Sequence, residues 1–94
     1  MPKNATVTCP AGSPTHLTND AVNAARVIGS EDFYLCATLD MTPPSDTDGA
    51  VMMLPWSVLA ADVELGDLFP GLGTTMHLWA WPTSGAADVS ISHA

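Results

Sequence analysis

Histidines have the widest chemical repertoire in this chain, because a neutral imidazole binds transition metals and titrates near neutral pH. The sequence holds three of them, His16, His77 and His93. Metal ligands usually come in closely spaced pairs, and the chain contains no such histidine pair and no Cys-x-x-Cys motif. His77 instead shares one face of its predicted strand with Trp79 and Trp81, which indicates packing or an outer surface. We therefore expect no metal site and no cofactor.

Nucleophilic and acid–base catalysis are also poorly supported. A serine hydrolase places its serine on a strained turn, with histidine and acid partners, and the chain has no Gly-x-Ser-x-Gly elbow. Asp62 and Glu64 would share one face of a strand, so they are the pair that could serve as glycosidase carboxylates, whereas Glu31 and Asp32 would point to opposite faces. On so small a scaffold, solvated charge explains these acids better. The expectation is that the protein is not an enzyme.

One acidic segment has a possible metal-binding register. Residues 46–49, Asp-Thr-Asp-Gly, are similar to the start of a calcium-binding loop. The residues that follow, 50–54, supply no further side-chain oxygens. The pattern therefore favours an ordinary turn.

The two cysteines, Cys9 and Cys36, both fall in strand-like runs. Buried, reduced side chains explain them best, because a cytoplasm keeps thiols reduced. A disulfide between them is an alternative if the two strands are neighbours, because pairing depends on geometry that spacing alone does not give.

Charge excludes two classes of partner. Only Lys3 and Arg26 oppose ten carboxylates, and the net charge is −8. Binding to nucleic acid draws on several basic residues near phosphates, and a negative chain is repelled by anionic lipid. No apolar run approaches the roughly 18 residues of a membrane span, and residues 1–8 lack the features of a signal peptide. We expect a protein made in the cytoplasm, with no nucleic-acid or membrane partner.

Length and composition indicate one domain, over residues 1–94, that contacts other protein. Ninety-four residues support one core. The apolar fraction of 47% is ordinary, while the charged fraction of 13% is about half the usual ~25%. Sparse charge predicts that part of the exterior meets another protein surface rather than water.

Turn-forming residues divide the chain into apolar runs of a few residues each. This pattern predicts an all-β fold, a compact β-sandwich or barrel of about seven to eight short, mainly antiparallel strands. The predicted strands are 5–9, 15–18, 24–28, 33–39, 51–54, 57–63, 75–81 and 87–93. Residues 40–49 should form an exposed loop, and residues 65–73 a compact connection whose Leu68 and Phe69 fill one end of the core. Helical signals are weak: residues 19–26 have the composition of two turns but run into β-like residues, and residues 62–68 could form one turn.

Large apolar side chains are the strongest indication of a binding surface. The segment 75–81 is apolar on both faces, which is typical of a central strand or of one covered by a partner. Tryptophan and methionine are enriched in protein interfaces. Core packing, a subunit interface and an aromatic platform for sugar all stay open as explanations. The candidate interface residues are Met52, Met53, Trp56, Trp79 and Trp81.

Several segments carry a family resemblance, and they occur in the order Ala25-Arg26-Val27, Gly49-Ala50-Val51, Leu54-Pro55, Asp67-Leu68-Phe69-Pro70-Gly71, Leu78-Trp79-Ala80-Trp81 and Val89-Ser90-Ile91-Ser92-His93-Ala94. In them the chain resembles the short virion proteins encoded beside the head genes of tailed bacteriophages and prophages, especially those of marine alphaproteobacteria. The likeness covers most of the chain.

The resemblance implies a decoration, or cement, protein on the exterior of a phage capsid. Its partners would be the major capsid protein and further copies of itself, as a dimer or trimer. Such a protein stabilises the lattice by binding the assembled shell and not its free subunits, which requires no catalysis. The alternatives are a tail, neck or head-fibre component of the virion and a small glycan-binding β-module.

Overall fold

Eight strands form two four-stranded antiparallel sheets, which confirms the all-β prediction. The structure, a computed structural model, describes residues 2–94. Sheet 1 has the strand order β1-β8-β3-β6 and sheet 2 the order β2-β7-β4-β5. The elements are β1 (Lys3–Cys9), β2 (Thr15–His16), β3 (Arg26–Gly29), β4 (Phe33–Thr38), β5 (Val51–Met53), β6 (Val58–Leu59), α1 (Leu65–Leu68), β7 (His77–Trp81) and β8 (Ala87–His93).

The core lies between the two sheets, and the period-two pattern of the strands places it there. In β8, Ala87, Val89 and Ile91 are buried while Asp88 is exposed. In sheet 2, the core-facing residues alternate with an outer row in the same way. Successive side chains of a strand point to opposite faces, so one face of each sheet builds the core and the other is left for solvent or a partner.

The segment after β6 folds differently from its prediction. The predicted strand 57–63 is paired only at Val58 and Leu59, because the chain turns at once, with the Val63 N–H donating to the Ala60 carbonyl. Predicted strand 24–28 is likewise displaced, to Arg26–Gly29. Most of loop 40–49 is exposed and none of it is in a strand or helix, as predicted.

A short helical turn closes one end of the core. Leu65 is fully buried and Phe69 nearly so, whereas Leu68 is half-buried. Phe69 therefore fills this end as predicted, and Leu68 packs against the core while only partly buried. Residues four apart share one face of a helical turn, so the turn that buries Phe69 buries Leu65 with it.

Candidate interaction surfaces

The outer face of sheet 2 carries an unusual set of side chains. Core residues such as Leu35 and Leu78 point inward, so the alternate residues of β4 and β7 point outward. The strand register pairs Cys36 with Trp79 and Thr38 with His77. We call these side chains the outer patch: His16, Tyr34, Cys36, Thr38, Met52, His77, Trp79 and Trp81.

Hydrogen bonds and ring contacts connect the middle of the outer patch. His16 Nε2 lies 3.1 Å from His77 Nδ1. The His16 ring stacks on Trp79, with centroids 4.5 Å apart and an interplanar angle of 25°. The Trp79 indole N–H donates to Thr38 Oγ1 over 2.8 Å, and Thr38 Oγ1 donates to the Asp40 carbonyl over 2.7 Å. The chain's own side chains therefore cover Trp79, which is only 5% exposed.

The histidine pair was not expected from sequence, because its members are separated by 61 positions. Burial lowers the pKa of His16, and the neighbouring His77 and Lys3 lower it further. His16 therefore favours its neutral form, which can donate or accept a hydrogen bond at Nε2. In residues 2–94, no group of three or more His, Cys, Asp or Glu side chains is arranged to hold a metal ion.

A second surface lies along the β5 edge of sheet 2, where the chain passes from β5 to β6, and it shares Met52 with the outer patch. Four of its side chains are exposed apolar groups within seven residues, and we call them the apolar edge: Met52, Leu54, Trp56 and Val58. Strands β5 and β6 are edge strands of their respective sheets. The apolar edge therefore crosses from one layer of the sandwich to the other.

Trp56 has a specific backbone geometry at this edge. Its φ is +64°, its N–H donates to the Gly29 carbonyl over 2.8 Å, and the Ser57 N–H donates to the Leu54 carbonyl over 3.0 Å. Proline at the second position and a positive φ at the third define a type II turn, so residues 54–57 form one. Glycine normally occupies that third position, whereas this chain has tryptophan there, 67% exposed.

The five predicted interface residues fall into two groups. Met52 and Trp56 belong to the apolar edge, and Trp81 is half-buried on the outer patch. Met53 and Trp79 are 6% and 5% exposed, so they offer a partner little accessible surface. The interface itself stays a prediction, and accessible area restricts it to Met52, Trp56 and Trp81 among those five.

A cleft of about 510 Å³ lies between loop 40–49 and the segment that follows α1. Cys36, Asp46 and Phe69 are among the residues that line it. Burial, with a smaller effect of the Asp46 carboxylate, raises the pKa of the Cys36 thiol to about 11, so this thiol is a poor nucleophile. The Asp46 carboxylate accepts the Asp48 N–H over 3.1 Å within its own turn.

No family model, curated protein or solved structure matched the chain. Within residues 2–94, no helix is long and apolar enough to cross a membrane.

Proposed function

We propose that this chain is a structural virion protein that binds the outer surface of a phage capsid through its apolar edge and stabilises the lattice. The observation that carries the proposal is Trp56, a large apolar side chain held in solvent by a defined turn. The resemblance to virion proteins of tailed phages supports a phage capsid as the assembly that the chain binds. The mechanism requires binding alone.

The conformation of Trp56 is costly for an isolated domain. A left-handed conformation costs an L-residue about 1–2 kcal/mol, and leaving a large apolar side chain exposed forgoes about 3 kcal/mol of burial. Two backbone hydrogen bonds nevertheless fix the turn. A partner that buries the indole recovers the burial energy, and fixing the turn beforehand lowers the entropy lost on binding. Tryptophans of this kind dominate the energetics of many protein interfaces.

Acidic groups lie on connections next to the strands that carry the apolar edge. Glu31 and Asp32 lie on the connection between β3 and β4, and Asp62 and Glu64 follow β6 directly. β5 and β6 carry the apolar edge, and β4 and β3 are their respective neighbours in the two sheets. We therefore expect a socket on the capsid protein with an apolar floor and a basic rim, and binding that weakens as salt screens the rim.

Stabilisation of the shell follows from mass action. A ligand that binds the assembled lattice and not its dissociated subunits stabilises the lattice by RT ln(1 + [L]/Kd) at each site. Many weak sites over one shell add up to a large total effect. A structural role therefore agrees with a small interface centred on a single tryptophan.

The first test is quantitative mass spectrometry of purified virions from the phage or prophage that encodes the chain. We expect a copy number that is a simple fraction of that of the major capsid protein, or equal to it. A trace ratio would reject decoration and indicate the tail, neck or a head fibre. Absence from the particle would reject a virion role.

The second test asks whether the apolar edge is the surface that binds the capsid. Capsids stripped of the protein are incubated with the wild-type chain or with Trp56→Gly, which keeps the turn and removes the side chain. The matched control is Met41→Ser, another exposed apolar side chain that lies in loop 40–49, away from the apolar edge. We expect Trp56→Gly to lose capsid binding and the control to retain it; equal binding by both variants would contradict the assignment.

The exposure of Trp56 also favours the glycan-binding alternative, because an exposed indole can stack on a sugar ring. In that case the intrinsic fluorescence of the wild-type chain would change across a glycan panel and that of Trp56→Gly would not. Unchanged wild-type fluorescence would reject this alternative.

A further inference from the structure

Strand β1 has a free hydrogen-bonding edge, and the ladder of sheet 1 shows which of its residues supply it. The Ser30 N–H donates to the Asp88 carbonyl, and the Asp88 N–H donates to Ser30 Oγ, so both backbone groups of Asp88 point toward β3. Backbone groups alternate in direction along a strand. Val89 and Ile91 of β8 therefore point toward β1, where their partners are Val7 and Ala5.

The same alternation directs the other residues of β1 outward. Asn4, Thr6 and Thr8 lie between the residues that bond to β8, so their N–H and C=O groups point away from the sheet. β1 is an edge strand of seven residues, and no other segment of residues 2–94 takes up these six groups. An uncovered edge of this length is a template for another strand.

Two prolines bound this ladder symmetrically. Pro2 and Pro10 occupy the next outward-facing positions on either side of Asn4 and Thr8, and proline has no N–H to donate. The outward donors are therefore limited to Asn4, Thr6 and Thr8, with Thr6 at the midpoint. An antiparallel strand centred on Thr6 would match every donor with an acceptor, and a shift of two residues would place a proline opposite a donor or an acceptor of the ladder.

We propose that a second copy of this chain pairs with β1 in antiparallel orientation, about a two-fold axis through Thr6, to form a continuous eight-stranded sheet. Thr6 then faces Thr6 of the second copy, and Asn4 faces its Thr8, which gives six backbone hydrogen bonds. Ala5 faces Val7 of the second copy and adds apolar contact. Cross-strand threonine pairs are favourable in sheets.

Charge favours a second copy at this edge despite the net charge of −8. Among residues 2–94, Asp88 is the one carboxylate in a β-strand, so the others lie on loops and α1. In the paired sheet the two Asp88 residues would be three strand spacings and four residues apart, about 19 Å. That distance is about twice the Debye length at physiological salt. The one charged residue of β1, Lys3, donates to the Leu17 carbonyl of its own chain.

The dimer should be weak, because two seven-residue edges bury less than the roughly 1,000 Å² of a stable interface. It would form where chains are concentrated, as on a shared surface, since a high effective concentration compensates for a small interface. The inference does not depend on the capsid proposal. The two surfaces are also compatible, because β1 and β6 are opposite edges of sheet 1.

Amide hydrogen exchange of the wild-type chain, measured by NMR from micromolar to millimolar concentration, tests the pairing directly. We expect the amides of Asn4, Thr6 and Thr8 to exchange fast in dilute solution and to slow as concentration rises. The amides of Ala5 and Val7, bonded to β8, should be slow throughout. Sedimentation over the same range should show the mass increase from 9.8 kDa toward twice that value. Fast exchange and a monomer mass at millimolar concentration would overturn the proposal.

Two variants of Thr6, at the midpoint of the β1 ladder, distinguish backbone pairing from non-specific association. Thr6→Pro removes an outward N–H and leaves the bonds to β8 in place, whereas Thr6→Val keeps the N–H and the strand preference. We expect the proline variant to stay monomeric at concentrations where the valine variant dimerises. Dimerisation by a folded Thr6→Pro chain would place the interface elsewhere. Exchange of the wild-type amides decides the question if that variant does not fold.

Discussion

His16 Nε2 and His77 Nδ1 lie 3.1 Å apart on the outer face of sheet 2. Two imidazoles at this distance need one N–H and one lone pair between them, so both rings cannot be protonated without breaking the hydrogen bond. Lys3 adds positive charge near His16. Burial, His77 and Lys3 all disfavour the charged form of His16.

Stability should fall with acid in a window that His16 sets. Burial lowers the pKa of His16 below its ordinary 6.5, so the unfolded chain takes up this proton at a higher pH than the folded chain does. The contribution to the unfolding free energy is fully present above pH 6.5 and is lost as pH falls toward the folded pKa. Urea unfolding above and below pH 6.5 measures it. The slope should be less than the about 1.4 kcal/mol per pH unit of one full proton, because His16 is only half-buried.

The control for this effect is His16→Gln, which removes the titrating group. This variant should lose most of the slope just below pH 6.5. The lowered pKa values of Asp20 and Asp40, held down mainly by backbone N–H groups of Ala21 and Thr42, act only below their ordinary 3.8. A wild-type slope that survives in His16→Gln would assign the effect to another group.

The bond between Trp79 and Thr38 should contribute measurably to stability. Thr38→Val keeps the shape of the side chain and leaves the buried indole N–H without its acceptor, which costs about 1–3 kcal/mol. Thr38→Ser keeps the hydroxyl and is the matched control. Urea unfolding followed by tryptophan fluorescence compares the two. Equal stability of the valine and serine variants would mean that water or another group satisfies the indole.

The backbone of Trp56 allows its binding role to be separated from the fold. Trp56→Gly and Trp56→Ala both remove the indole, but only glycine adopts a positive φ without strain. We expect the glycine variant to be the more stable by about 1 kcal/mol, with both variants deficient in capsid binding. Thermal or urea unfolding provides the comparison. A more stable alanine variant would contradict the strain at this position.

The sequence was sufficient for most of the strands, because alternation in runs such as 33–39 and 87–93 is a local signal. It failed where a local signal was absent. Predicted strand 57–63 is apolar enough to extend, yet a turn at Ala60 ends it. Leu65 and Leu68 are the same residue type. Only the rotation of the helical turn decides that Leu65 is fully buried while Leu68 is partly buried.

The candidate surfaces were likewise predictable from the sequence only in part. Trp56 was identified from its residue type, and the Pro55–Trp56 pair even carries the signal of a turn, although not the positive φ. The His16–His77 contact depends on the pairing of β2 with β7, which residue spacing does not specify. Trp79 could not be assigned to a surface or to a buried position from sequence, because the answer depends on which residues of β2 and β4 cover it.

The two cysteines should behave as protected thiols. Cys36 points to the outer face of sheet 2 while Cys9 belongs to the core, so the sheet separates them and both are free. Burial raises the pKa of Cys9 and raises that of Cys36 to about 11, so the reactive thiolate is scarce near neutral pH. We expect slow reaction with a disulfide reagent in the native state and rapid reaction of both thiols in urea. Fewer than two thiols in urea without a reductant would indicate a disulfide, and fast native labelling would indicate that the strands open locally.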